Sequence, residues 1–151
     1  MRKVLIINGS PRAEQSTSWA LLNYLDVFIC AAETEVVSLN RYKKKPLTEL
    51  VKKCREASDI VLSFPLYFDS IPSLLLRLLE ELRSIRHFSA AEKPARLYAL
   101  VNCGFPEKEH NEVALKILKH CADKCGLKWQ YGVGISMGWM AKRGCAFPQS
   151  I

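Results

Sequence analysis

Five side chains suited to holding an anion fall close together: Ser10, Arg12, Ser16, Thr17 and Ser18. Hydroxyls and a guanidinium together can satisfy the acceptor oxygens and the charge of a phosphate. They follow Val4-Leu5-Ile6-Ile7, an aliphatic run that predicts a strand buried on both faces. Asn8-Gly9-Ser10-Pro11 ends that run with turn chemistry, and helical apolar spacing begins after Ser18. A strand, a polar loop and a helix N-terminus surround the loop with unpaired backbone N–H groups and the positive end of a helix dipole. The plainer alternative is a β–α turn with a Ser/Thr cap. The density of phosphate-suited groups favours the anion site. No Gly-Lys-Ser/Thr follows and Gly9 stands alone, so neither the Walker loop nor the G-x-G-x-x-G dinucleotide turn is present.

Other reactive residues carry less. Cys103 lies in a loop, but thiolate activation needs a specific basic neighbour, and none is adjacent; His110 is seven positions on. Cys54, Cys121 and Cys125 fall on apolar helical faces, where a thiol acts as a small hydrophobe. Cys30 ends the first helix and Cys145 is in the tail. With no CxxC pair, and no metal spacing among His87, His110 and His120, no metal ligand is assigned.

The elements that position the loop can be read in order. Leu21, Leu22, Leu25, Phe28 and Ile29 form one helical stripe. Thr34 to Leu39 is a polar-interrupted strand suited to a sheet edge. Arg41 to Pro46 is a basic loop, and Leu47, Leu50, Val51, Cys54 and Ala57 mark a second helix. Asp59 to Phe64 is a third strand, stopped by Pro65. Pro72 suits the first turn of a third helix, Ser73 to Ile85. Arg86 to Pro94 is a polar linker and Ala95 to Val101 a fourth strand. Val113 to Cys125 is a fourth helix, closed by Gly126. Trp129, Tyr131, Val133 and Ile135 alternate as a fifth strand should. Strand–helix alternation of this kind means a parallel sheet with helices on both faces, and ligands bind beyond the carboxyl ends of its strands.

Three loops carry a family resemblance. Gly9-Ser10-Pro11-Arg12 with Ser16-Thr17-Ser18, then Pro65-Leu66-Tyr67-Phe68-Asp69-Ser70-Ile71-Pro72, then Asn102-Cys103-Gly104-Phe105-Pro106-Glu107 follow the first, third and fourth strands. Together they resemble the flavodoxin-like NAD(P)H-dependent FMN reductases over about residues 1–135. The resemblance implies a doubly wound five-stranded sheet of order 2-1-3-4-5, as one domain, with residues 136–151 an irregular tail. It implies FMN, its phosphate held by Ser10, Arg12, Ser16, Thr17 and Ser18. Pro65, Leu66, Tyr67 and Phe68 would pass along the isoalloxazine, and Asn102, Cys103, Gly104 and Phe105 would border its pyrimidine end. NADPH or NADH would reduce the flavin in a ping-pong cycle, and a quinone, free flavin, azo or nitro compound would take the electrons. Hydride transfer to a flavin needs no dedicated acid or base, so no catalytic residue is assigned. Two alternatives stay open: a flavodoxin-type electron carrier, and a non-enzymatic module that binds a partner through its third helix.

The 151 residues, 49% hydrophobic and 25% charged, suit one domain. No apolar run approaches a membrane span, and Arg2-Lys3 before four aliphatic residues is too short for a signal peptide. A cytoplasmic protein with reduced thiols is expected. The formal charge of +7 suits anionic substrates such as NADPH, and no nucleic-acid motif accompanies it. The basic segment Arg41 to Lys45 could reach a 2′-phosphate.

The carboxyl end predicts association. A flavodoxin-like domain follows its fifth strand with a fifth helix, but Gly138, Gly144 and Pro148 interrupt the residues available for one. The sheet face meant for that helix, beside the first strand, should then stay open. In the third helix Leu74, Leu75, Leu76, Leu78, Leu79, Leu82 and Ile85 cover more than one stripe, which fits a deep core helix or, the reading favoured here, a subunit interface. A homodimer or larger assembly is expected, with Phe105, Trp139 or Phe147 edging a partner's site; the alternative is a monomer whose tail folds back over the gap.

Overall fold

Aliphatic runs at regular intervals give five strands: β1 (Lys3–Asn8), β2 (Glu33–Ser38), β3 (Asp59–Pro65), β4 (Arg96–Asn102) and β5 (Lys128–Ile135). All pair in parallel, in the expected order β2-β1-β3-β4-β5. The helices are α1 (Thr17–Asp26), α2 (Thr48–Glu56), α3 (Ser73–Ser84), α4 (Glu109–Cys125) and the single turn α5 (Trp139–Lys142). This computed structural model describes residues 2–26, 33–84 and 94–142. Phe28, Ile29, Cys30, Ile85, His87, Gly144, Cys145, Phe147 and Pro148 lie outside the described residues.

The register aligns the carboxyl ends of the central strands. Asn8 stands beside both Ser38 and Ser63, and Pro65 beside Asn102. The loops after β1, β3 and β4 therefore leave from one edge of the sheet.

On one face, Leu5, Ile7, Ile60, Leu62, Phe64, Leu97 and Val101 pack with Leu50, Leu75, Leu78 and Leu118 of α2, α3 and α4 in the main core. Fully burying each such side chain contributes roughly 2 kcal/mol. The apolar width of α3 is explained here. The helix packs on α2 and α4 as well as the sheet, so Leu75, Leu78, Leu79 and Leu82 are buried within the chain. Leu76, at 37%, is the α3 leucine left exposed among the described residues. The breadth of that pattern reports three neighbours in one chain and does not require a subunit interface.

The opposite face carries α1 and the short α5. Leu22 covers Val4 and Ile6, and Leu21 covers Leu100. The remaining area forms a groove of about 370 Å³, lined by Val4, Leu25, Val61, Tyr98, Leu100, Tyr131 and Val133, with Arg2 and Asp59 at one end.

β5 departs from simple alternation. Leu97 pairs with Trp129, but Tyr98 pairs with Tyr131, leaving Gln130 as an extra residue. The bulge keeps Trp129 with the main core and turns Tyr131 and Val133 to the groove. Gly132 and Gly134 face α4, where an added Cβ would press on Leu115 and Asn111 respectively. Glycine lets that helix lie close. Gly126, at φ 73°, ends α4 as predicted.

At the edge of the sheet away from the loops, Asp59 is 1% exposed. It accepts from Arg2 Nε at 2.6 Å and Arg96 Nη2 at 2.8 Å. Burial pushes its carboxyl pKa up, but the two guanidinium groups outweigh that and hold it below the ordinary value.

Candidate functional site

The loop after β1 is built around two acceptors, one on the buried Asn8 and one on the half-buried Ala13. Asn8 Oδ1 accepts the Ser10 N–H at 3.1 Å, and Asn8 Nδ2 donates to the Ala13 carbonyl at 2.9 Å. The same carbonyl accepts the Ser16 backbone N–H at 3.2 Å and the Ser16 hydroxyl. Ser16 Oγ also accepts the Trp19 N–H at 3.1 Å, which makes Ser16 the N-cap of α1. Ser10 is buried, its Oγ accepting the Arg12 N–H at 3.3 Å. Ser18 points inward, its Oγ accepting from Asn102 Nδ2 at 2.8 Å and its carbonyl from Ser63 Oγ at 3.1 Å.

Three of the five hydroxyl and guanidinium groups expected to hold an anion are thus engaged in shaping the loop. Two stand free of such duty. The Arg12 side chain is exposed and has no hydrogen bond or ion pair among the described residues. Thr17 is half-buried, and the Thr17 and Ser18 amides open α1 ahead of its first intrahelical bond. A guanidinium and a helix N-terminus remain to meet an anion. The basic segment adjoins them: Arg41 lies 3.6 Å from Glu14, and Arg77 Nη2 pins the carbonyls of Tyr42 and Lys45 at 2.8 and 2.9 Å.

The loop after β3 ends in a tight turn. Pro65 is the last strand residue rather than the stop beyond it, and the Leu66 N–H donates to the Asn102 carbonyl at 2.9 Å. Tyr67 and Ser70 exchange two backbone bonds of 3.0 Å. Between them Phe68 (φ 49°) and Asp69 (φ 57°) are both left-handed. Phe68 is fully exposed and Tyr67 41% exposed.

The loop after β4 is held from below and behind. Asn102 Nδ2 donates also to the Phe64 carbonyl at 3.1 Å, so one buried amide ties β4 to β3 and α1. Cys103 is buried; its sulfur contacts the Phe105 carbonyl at 3.5 Å and Asn111 Nδ2 at 3.4 Å, neither of them a base. Gly104 and Phe105 are exposed. Residues just after β5 brace this loop: Met137 N–H reaches the Phe105 carbonyl at 3.0 Å and Gly138 N–H the Cys103 carbonyl at 2.9 Å. The first part of the expected tail is therefore bonded into the site.

Sequence reasoning missed Asn8 and His110. An asparagine at the end of a buried strand, before a turn, was a usable signal for the first. Nothing local marked the second. His110 Nδ1 lies 2.9 Å from Asp69 Oδ1, and its ring lies 4.8 Å from that of Phe105. Among the described residues, the left-handed non-glycine positions are Ala13, Phe68, Asp69 and Met137. All four belong to these loops or to the brace behind them. Each such conformation costs roughly 1–2 kcal/mol, so the strain of the fold is concentrated at one edge.

Parallel order 2-1-3-4-5, an anion-ready loop after β1 and aromatic-bearing loops after β3 and β4 define a flavodoxin-like protein with its ligand edge at the switch point. The free guanidinium, helix N-terminus and exposed aromatic side chains fit a flavin mononucleotide. The family model for NADPH-dependent FMN reductase matches residues 2–122, and the chain belongs to that family. It is an NAD(P)H-dependent FMN oxidoreductase.

Solved structures share the fold. An FMN-dependent NADH-azoreductase from Bacillus anthracis, in complex with FMN, is 16% identical, with TM-score 0.68 over 98% of this chain and 91% of that one. An NAD(P)H:quinone oxidoreductase from Methanothermobacter marburgensis is 15% identical, with TM-score 0.70 over 93% and 92%. General stress protein 14 from Treponema denticola, in complex with FMN, is 19% identical, with TM-score 0.67 over 95% and 92%. No curated protein matches the chain. Among the described residues, no helix is long and apolar enough to cross a membrane.

Proposed function

We propose that the chain passes electrons from NADPH through FMN to a small planar acceptor such as a quinone, a free flavin, or an azo or nitro compound. The observation that carries this reading is the pairing of unsatisfied donors with uncovered rings at one edge. Arg12, Thr17 and the first amides of α1 would hold the phosphate, while Asn8, Ser10, Ser16 and Ser18 keep that loop in shape. Pro65 to Phe68 and Asn102 to Phe105 would flank the ring system. Bound FMN supplies the hydride and electron chemistry. Tyr67, Phe68 and Phe105 offer apolar faces to a planar acceptor. The nearness of Arg41 to the first loop supports NADPH over NADH as donor. The open groove beside α1 supports a two-fold pairing of chains.

Flavin titration of the purified protein tests the core of this reading. One FMN per chain is expected, and Arg12→Ala should weaken binding about ten- to a hundred-fold, the range of a charge-assisted contact. Equal affinity for wild type and variant would remove the phosphate loop from the account. On the same samples, anaerobic stopped-flow should show faster flavin reduction by NADPH than by NADH.

A further inference from the structure

Two of the three loops have no chain connection shorter than α3 and β4, yet one side chain joins them. His110, the second residue of α4, bonds through Nδ1 to Asp69 Oδ1 at 2.9 Å. Its ring lies against Phe105 at 4.8 Å with a 31° tilt, and its Nε2 lies 3.9 Å from Glu107 Oε2. Asp69 is in the loop after β3; Phe105 and Glu107 are in the loop after β4. Asp69 also occupies the second central position of the Tyr67–Ser70 turn, in which both central residues are left-handed. Such turns favour Asn-Gly. Here they hold Phe-Asp, with Phe68 fully exposed at the tip. A strained conformation persists only where its surroundings over-determine it. The two Tyr67–Ser70 bonds are one such restraint, and the His110–Asp69 bond is the other.

We propose that His110 is a positioning residue that latches the strained Phe68–Asp69 turn to the loop after β4, fixing the aromatic residues of both loops for the flavin site. The role rests on the flavin reading given above. The latch works by hydrogen bonding: an Nδ1–H donates to the Asp69 carboxylate whether or not Nε2 also carries a proton. Stacking on Phe105 sets the plane of the imidazole, and that plane directs the bond toward Asp69.

Amide exchange of Tyr67 and Ser70 in the FMN-free protein, followed by NMR, reads the turn without any cofactor. His110→Ala should accelerate both amides about five-fold, the worth of one hydrogen bond. His110→Asn places a carboxamide N–H near the position of Nδ1 and should restore slow exchange. Asp69→Gly should also accelerate exchange, although glycine suits the left-handed backbone there. Adding His110→Ala to Asp69→Gly should change nothing more. FMN affinity should fall about five-fold in His110→Ala and recover in His110→Asn. Wild-type exchange in His110→Ala, or failure of His110→Asn to rescue, would overturn the latch. An exchange response with unchanged FMN affinity would overturn its role in the flavin site. Acceleration in His110→Ala, where the wild-type protein binds no FMN, would support the latch while refuting the flavin reading.

Discussion

On one face of the sheet, Leu50, Leu75, Leu78 and Leu118 are fully buried; on the other, Tyr131 is 62% exposed and Val133 45%. Residue type does not separate the two, since all are large and apolar. The difference lies in cover. Three helices of nine to seventeen residues lie on the first face. One ten-residue helix and a single turn lie on the second. The sealed face shows its dryness chemically: burial raises the Cys54 thiol to about 12 and the Cys125 thiol to about 11. An apolar pattern states how much of an element must be covered; it does not state who covers it. The buried leucines of α3 find their neighbours within the chain, whereas Tyr131 and Val133 of β5 stay open.

Truncation to alanine should break the two faces unequally. Leu118→Ala removes a fully buried side chain between α4 and the sheet and should cost about 3 kcal/mol, read by urea unfolding. Val133→Ala should cost less than about 1 kcal/mol, because its surface is already open. A similar cost at both positions would mean that the groove is filled in solution.

Asp59 should give the next largest effect. Asn at this position leaves Arg2 and Arg96 facing a neutral group, and about 2 kcal/mol should be lost, less than for a fully enclosed pair because both arginines keep contact with water. The sign with pH follows from the depressed carboxyl. As pH falls, the unfolded chain takes up this proton first. The stabilisation is therefore complete above the ordinary aspartate pKa of about 4 and fades as pH drops through the lower folded value. Unfolding between pH 7 and pH 2 should show this dependence in wild type and its loss in Asp59→Asn.

The smallest change in stability should accompany the clearest change in mass. Val133→Glu puts a charge in the groove without disturbing the main core. Light scattering at micromolar concentration should show a dimer for wild type and a monomer for the variant. The same substitution at Leu75 or Leu79 would unfold the chain whatever its assembly, since both are buried in the main core. Unaltered mass in Val133→Glu would take the groove out of the interface.

Much of the fold was legible because β-branched and aliphatic runs such as Val4–Ile7 and Ile60–Leu62 require burial on both faces. The turn residues between them fix the strand count. The three loops were legible for the same reason, being where those runs stop. Two things were not. The bulge at Gln130 depends on how β5 meets β4, a contact between residues some thirty positions apart, and no local pattern encodes it. The split of labour within the first loop was also hidden. Ser10, Arg12, Ser16, Thr17 and Ser18 look alike as anion ligands in sequence. Which hydroxyls turn inward depends on Asn8 and Asn102, and on where the latter reaches across the sheet.

Ala13 shows what this design means for selection. Its left-handed backbone is held because three donors, from Asn8 and Ser16, converge on its carbonyl. A glycine there would relax the backbone penalty and should make the folded chain slightly hardier. It would also let the loop sample shapes other than the one proposed to receive the phosphate. A screen that rewards heat resistance alone would drift toward glycine at position 13 and discard ligand affinity as it went. Only a screen that rewards both properties would keep alanine.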